Sequence, residues 1–406
     1  MKSSEHLRPL TSLRFMAASM VVLHHAPHLF VWPALQHLPA TLFHGVSFFF
    51  VLSGFILTHV YRARPWPGYW QFFVLRIGRI WPVHAAALAF LLAASAFGDA
   101  VMGPLGITYG GEGFLNRWVS FGLVATMTQS LSPYIPHSWG WNSPSWSIST
   151  EFAFYAMFPF LLIGIERRWL TNLLASLVVV LAALTSLYFS GLAFWDDDVT
   201  VLTKASIAYA SPVMRLPEFC LGMAAWVIWD RYIRALRLSF IAWSAIELAA
   251  VALAGWWFTS NLFTAISATD FLQPWFYSAG SCWAFAILII LIASGRGLLG
   301  RVLSIPPLVF LGEISYSLYL WHLIVCKIFF YQHWNQIEPI YFFALLLVLA
   351  GASYLLIEKP CRSRVARMVG AADRNRSHPH ADRSRNAGIT ADAAIARPAY
   401  AGEATP

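Results

Sequence analysis

The sequence predicts an all-α protein that crosses a membrane about ten times, and three observations predict it. Hydrophobic residues make up 58 % of the chain and charged residues only 11 %, with a mean hydropathy of +0.61, whereas soluble domains carry about 25 % charge. A chain so poor in charge cannot cover a water-facing surface, which excludes a soluble multidomain enzyme. Apolar runs of the length a bilayer-crossing helix needs, about 20 residues, recur at 11–30, 41–60, 81–98, 146–165, 169–190, 206–229, 238–260, 274–293, 306–330 and 340–357. The 19 Trp and 31 Phe suit apolar cores and membrane interfaces.

The meaning of the net charge of +8 lies in where the cations fall, and it does not point to nucleic acid. With ten spans and both termini cytoplasmic, the inner connections collect Arg62, Arg64, Arg76, Arg79, Arg167, Arg168, Arg231, Arg234, Arg237, Arg296, Arg301, Lys359, Arg362, Arg364 and Arg367. The outer ones keep only Arg117 and Lys204, beside Asp99, Glu112, Asp196, Asp197, Asp198, Asp270 and Glu338. That satisfies the positive-inside rule. An eleventh span at the moderately apolar stretch 114–132 would invert every later loop. That stretch is therefore expected as a re-entrant or interfacial element inside one long outer connection, 99–145.

The membrane domain is expected over 1–368. Beyond it, 369–406 turns to Arg, Asp, Ala, Ser, His and Pro without periodicity and reads as a disordered cytoplasmic tail. The N-terminal run lacks a small-residue cleavage site and reads as a retained first span. Cys220, Cys282, Cys326 and Cys361 have no metal-ligand or disulfide spacing, and no His, Cys or acidic spacing predicts a metal site.

Ionisable residues inside spans are costly and mark candidate sites. In the first span Arg14 and His25 are eleven residues apart, which returns them to one helical face within about 20° and separates them axially by about 16 Å. An Arg at the inner mouth below an aligned imidazole suggests an anion held at one end and acid–base chemistry at the other. Glu151 in the fourth span is expected near the depth of His25, as its charge partner. Arg76 and Arg79, placed just before the third span, look like an anion clamp beside Arg14. Arg215 and Glu218, three residues apart, compensate each other on one face as readily as they serve a site. Ser53, Trp146, Tyr155, Tyr316 and His322 are expected in support, with His322 behind the catalytic group.

These blocks in their order resemble the acyltransferase-3 family of integral-membrane O-acyltransferases. The resemblance covers about residues 7–362. LRPLTSLRFMAASMVVLHH matches the family's Arg, ten residues, His signature at Arg14 and His25; GVSFFFVLSGF, RIGRIWP, SPSWSISTEFAFYAMFP, RLPEFCLG, LGEISYSLYLWH and IEKP follow. Ser47 departs from it, because the family commonly carries Asp after Gly-Val. The extra periplasmic esterase-like domain of some members is not expected here.

The resemblance implies acyl-coenzyme A as co-substrate, with no bound cofactor, and a hydroxyl acceptor on an extracytoplasmic carbohydrate or glycolipid. It also implies a multi-pass location in a bacterial inner membrane. Under it, Arg14, Arg76 and Arg79 hold the coenzyme phosphates, and His25 acts as general base with Glu151 orienting it. Direct transfer and a covalent acyl-His25 intermediate stay open, as do acetyl against succinyl or branched acyl groups. A surface polysaccharide, a peptidoglycan sugar and a small glycoside all stay open as acceptor. A transporter or flippase that uses the buried Arg, His and Glu as a path is the alternative from another class.

Overall fold

The computed structural model describes residues 7–29, 40–95, 114–331 and 338–377. Those residues fold as helices throughout, with no strand among them. In chain order the main helices are α1 (Arg8–Leu29), α2 (Gly45–Arg62), α3 (Tyr69–Ser95), α4 (Phe114–Ala125), α5 (Trp146–Leu162), α6 (Ile165–Phe189), α7 (Pro212–Ile228), α8 (Phe240–Thr259), α9 (Cys282–Ile292), α10 (Pro306–Tyr331), α11 (Pro339–Ser353) and α12 (Lys359–Ser377). All but α4 and α12 coincide with expected spans. Among the described residues, seven segments are long and apolar enough to cross a bilayer. The other three expected spans, α1, α5 and α7, are the helices that carry Arg14 and His25, Glu151, and Arg215 and Glu218, so polar residues or shortness hold them below that standard.

Two crossings fix the site. Gly54 on α2 and Gly222 on α7 each lie where a Cβ would strike the other helix's backbone, at Phe219 and Val51 respectively. Gly312 on α10 does the same against the Thr11 carbonyl of α1. Such contacts bring backbones close enough that side chains two or three positions away meet across the seam.

Loop contacts sort the connections by end. Arg62 pairs with Glu166, and Arg231 donates to the Glu166 carbonyl at 2.8 Å. Arg8, Arg234 and Arg296 share one surface hollow at that basic end. At the other end Lys204 pairs with Asp270 at 2.6 Å.

The helix α4, about 18 Å long at 1.5 Å per residue, is too short to span. It stops against the middle of α3: the Ala125 carbonyl accepts from Trp81 Nε1 at 3.2 Å, and the Val124 carbonyl meets His84 Nε2 at 2.8 Å. The chain then turns back through Met127, in a left-handed conformation (φ 55°) that a non-glycine residue rarely adopts. Gln129 Nε2 donates to the Ser145 carbonyl at 3.0 Å, and the hydroxyls of Ser130 and Ser149 lie 2.7 Å apart. The expected non-spanning element of the 99–145 connection is the short helix and fold-back at 114–131, while 99–113 lies outside the described residues.

Two boundaries differ from expectation. The third helix begins at Tyr69, after Gly68 (φ 93°) and Pro67, twelve residues before the expected 81, so Arg76 and Arg79 stand on the helix rather than ahead of it. The last span runs through a π-turn (Tyr354–Glu358) into α12, which continues to Ser377, past the expected domain boundary at 368. The rest of the expected tail, from 378, lies outside the described residues. All four cysteines are unpaired thiols.

Candidate active site

A cavity, part of it open to the outside, runs between α1, α2, α3, α5 and α10. Arg14, Arg76 and Arg79 line it together with Ser53, Glu151, Tyr155, Tyr316, Phe49, Ser147 and Tyr319. Arg76 and Arg79, three apart on α3, share one helical face. The Arg76 guanidinium lies 5.6 Å from the Tyr61 ring centre and 6.0 Å from that of Tyr155, and its Nε is buried with no hydrogen-bond partner. Among the described residues neither Arg14 nor Arg79 makes an ion pair or a hydrogen bond with the protein.

Among the described residues that line the cavity, Glu151 is the single carboxylate. Its Oε1 accepts from Ser53 at 2.8 Å and from Tyr155, one turn further along α5, at 2.6 Å. Tyr316 lines the same wall and donates to the Ile80 carbonyl. Three guanidiniums thus face one carboxylate across open space, and the cavity as built favours an anion.

Glu358 is a member of this group that the sequence reading missed. It is only 2 % exposed, accepts from Ser317 at 3.1 Å, and its charge acts on both Arg14 and Arg79. The signal was there in the IEKP block, but the residue reads as the start of a loop. The π-turn at 354–358 carries it inward, as such single-turn bulges do at many functional sites.

The cavity's far wall is Phe49, Ser147 and Tyr319. Tyr319 OH lies 2.8 Å from Ser147 Oγ and donates to the Pro144 carbonyl at 3.0 Å. His25 and His322 sit beyond that wall. Their nitrogens, His25 Nδ1 and His322 Nε2, are 3.3 Å apart, and the rings are centred at 5.1 Å. The expected pairing of His25 with Glu151 is absent, because both carboxylate contacts go to Ser53 and Tyr155. The reason is depth. Ser147 is level with Tyr319; Glu151 lies one turn toward the basic end and His322 one turn away from it, which separates the two groups by roughly 10 Å. The fold-back at 126–145 seats the first turn of α5 below the far surface, so counting from the predicted span boundary misplaced Glu151.

Arg215 and Glu218 do not line the cavity. Arg215 Nε lies 2.8 Å from Glu218 Oε2, both residues being almost fully buried, and the guanidinium stacks 5.2 Å from Phe50 and 5.8 Å from Trp146. Trp146 therefore touches the site through Phe50. Ser47 faces Glu218, so where the resemblance leads one to expect a second acid, Arg215 here has one carboxylate only.

The family model for the acyltransferase domain matches residues 10–358. Nodulation protein 10 of Rhizobium leguminosarum bv. viciae is 29 % identical over 398 residues, covering 91 % of this chain and 98 % of its own. The acyltransferase MdmB of Streptomyces mycarofaciens is 28 % identical over 388 residues, covering 89 % and 93 %. The O-acetyltransferase OatA of Staphylococcus aureus is 28 % identical over 228 residues, which is 54 % of this chain and 36 % of that longer protein. No solved structure matches. The transporter alternative gives way to an enzyme: the chain belongs to the acyltransferase-3 family and is a multi-pass membrane O-acyltransferase.

Proposed function

We propose that this enzyme moves an acyl group, acetyl in the first instance, from cytoplasmic acyl-coenzyme A to a hydroxyl of an extracytoplasmic carbohydrate or glycolipid, in a bacterial inner membrane. The observation that carries the donor assignment is that two guanidiniums, Arg14 and Arg79, face the cavity beside Arg76 without an ion pair or hydrogen bond to the described residues. Three such groups in a partly dry space match the phosphates of a nucleotide-bearing thioester, since guanidinium binds phosphate through paired hydrogen bonds. The acetyl group is supported by the O-acetyltransferase activity of OatA, and the carbohydrate class by the tryptophan- and serine-rich connection at 114–145. Membrane sidedness follows from the Arg-rich connections gathered at the cavity's charged end.

In this reading the coenzyme phosphates lie on Arg14, Arg76 and Arg79, and the thioester reaches along the cavity toward Tyr319. His25 Nε2 takes the proton of the acceptor hydroxyl. The oxygen bonds to the thioester carbonyl carbon, the carbon–sulfur bond breaks, and the thiolate leaves as coenzyme A, protonated by the imidazolium or by water. General-base assistance of this kind supplies about 10²–10⁴-fold. Because Tyr319 and Phe49 stand between the cavity and His25, these two side chains move aside during transfer. Glu151, hydrogen-bonded to Ser53 and Tyr155, holds the cavity's middle and balances the arginines.

Binding of acetyl-coenzyme A to the purified protein in detergent tests the donor assignment. Micromolar binding is expected, weakened at least tenfold in Arg14→Ala and in Arg79→Ala; no binding to the wild-type protein overturns it. Acyl content of surface glycans, measured by mass spectrometry with the wild-type gene, without it, and with His25→Ala, tests acceptor and base. Loss of one glycan ester in the deletion and in His25→Ala is expected, and an unchanged ester in His25→Ala removes the base assignment.

A further inference from the structure

Both imidazoles beyond the cavity wall are tied to main-chain carbonyls, and those ties decide which nitrogen holds each proton. His25 Nδ1 lies 2.9 Å from the carbonyl oxygen of Val21, one turn back on α1. A carbonyl only accepts, so in the neutral ring the proton is on Nδ1 and the lone pair on Nε2. His322 Nδ1 is likewise in contact with the Tyr319 carbonyl on α10. Its proton is therefore on Nδ1, and its Nε2 carries a lone pair. That lone pair is the atom 3.3 Å from His25 Nδ1. The Nδ1–H of His25 is shared between two acceptors, the Val21 carbonyl and His322 Nε2.

From this we propose that His322 is the positioning residue of His25: a neutral imidazole, locked by the Tyr319 carbonyl in the tautomer that accepts, standing where many hydrolytic triads use a carboxylate. It holds the His25 ring with Nε2 as its basic atom, and it stabilises the imidazolium that forms when Nε2 takes the acceptor's proton. His322 is fully buried, and its Nδ1 is tied to the Tyr319 carbonyl of its own helix, which fixes the direction of the acceptor nitrogen. Glu151 cannot do this work from one turn beyond the opposite side of Tyr319. Among the described residues, the other ionisable groups around the pair are His24, whose ring is 5.1 Å from that of His25, His44 near His24, and Tyr319, whose ring is 5.6 Å from that of His322. A neutral acceptor suits the place: it keeps the site free of a fixed anion where a neutral hydroxyl must approach.

This inference rests on the assignment of His25 as base, and two substitutions at His322 separate it from a packing role. His322→Phe keeps the ring volume and removes the acceptor; His322→Gln loses ring volume and keeps an oxygen able to reach His25 Nδ1. With acetyl-coenzyme A and the glycan acceptor, His322→Phe is expected to lower kcat about 10- to 100-fold, a share of the 10²–10⁴ supplied by the base. The KM for acetyl-coenzyme A should stay within about twofold. His322→Gln should recover at least a third of the wild-type kcat. A Phe variant as active as wild type, or Phe equal to or better than Gln, overturns the proposal. Thermal unfolding in detergent, run beside the kinetics, reports whether each variant is folded; if both unfold, the same comparison is made with His322→Asn and His322→Leu, whose expected order is Asn above Leu. Retained activity in His25→Ala instead defeats the assignment of the base itself, whatever the His322 variants do.

Discussion

Charge inside this bundle occurs in two very different settings. Around the cavity, Arg14, Arg76 and Arg79 face empty space, and Glu151 is met only by two hydroxyls. On α7 and α8 the charges are spent within the protein. Arg215 closes on Glu218, three residues along its own helix. Glu247, fully buried on α8, receives the backbone N–H groups of Gly297, Leu299 and Gly300 at 3.2, 2.8 and 3.3 Å. An anion that accepts three main-chain donors at the start of a short helix is a cap and a staple between α8 and the 293–305 connection. Burial alone therefore does not mark a site. What distinguishes the cavity is charge left over after the protein's own partners are counted.

The sharpest way to break that contrast is to remove the staple. Glu247→Ala should cost about 3–5 kcal/mol, because a buried network loses its charged member and three donors are stranded. Gly297 and Gly300 leave no space beside that carboxylate, so neighbours cannot close the gap without a shift. A large fall in Tm with unchanged turnover per folded molecule is expected. Intact stability with lost activity would move Glu247 into the machinery and erase the distinction.

Next in size is the α7 pair. Arg215→Met alone strands a buried carboxylate and should destabilise by about 3 kcal/mol, whereas Arg215→Met combined with Glu218→Leu should recover most of that, since apolar replacement of a buried ion pair is often neutral. Thermal unfolding of the two singles and the double forms a complete cycle. A double variant no more stable than the singles means that the pair is held by something besides each other.

Much of this was legible in the sequence, for a reason specific to each part. The Arg14–His25 alignment depends only on helical pitch within one helix, and α1 is continuous over it. The positive-inside count rejected an eleventh span at 114–132, and α4 indeed stops halfway. The partnership of His25 failed because it depended on absolute depth, which is set by how 126–145 folds back over α5, and no periodicity encodes that. Arg76 and Arg79 were placed ahead of a helix because their charge depresses the hydropathy that defines a span, while the actual stop is the Pro67-Gly68 turn. Glu358 escaped because a π-turn breaks the 3.6-residue period one turn before the loop it seems to begin.

At the cavity the expected effects are smaller in stability and larger in affinity. Arg79→Ala should raise the KM for acetyl-coenzyme A about 10- to 100-fold, which is about 1.4–2.8 kcal/mol, with Tm little changed because Arg79 makes no ion pair or hydrogen bond with the described residues. Steady-state kinetics at saturating acceptor measures it. A fall in Tm without a change in KM would assign Arg79 to the same structural class as Arg215.

The smallest effect isolates the middle of the cavity. Ser53 and Tyr155 both donate to the same oxygen of Glu151, from α2 and from α5 itself. Ser53→Ala removes one of two donors while leaving the carboxylate accepting from Tyr155, and a single hydrogen bond of this kind is worth about 1 kcal/mol. If Glu151 balances the arginines from a fixed position, the loss should appear as a roughly fivefold fall in kcat/KM. It should be matched by Tyr155→Phe and exceeded by the double variant, because the second loss leaves a half-buried carboxylate without either hydroxyl donor. Equal effects of the double and either single would mean that Glu151 is held by the arginines across the cavity instead. In that case its charge, and not its place, is what the site uses.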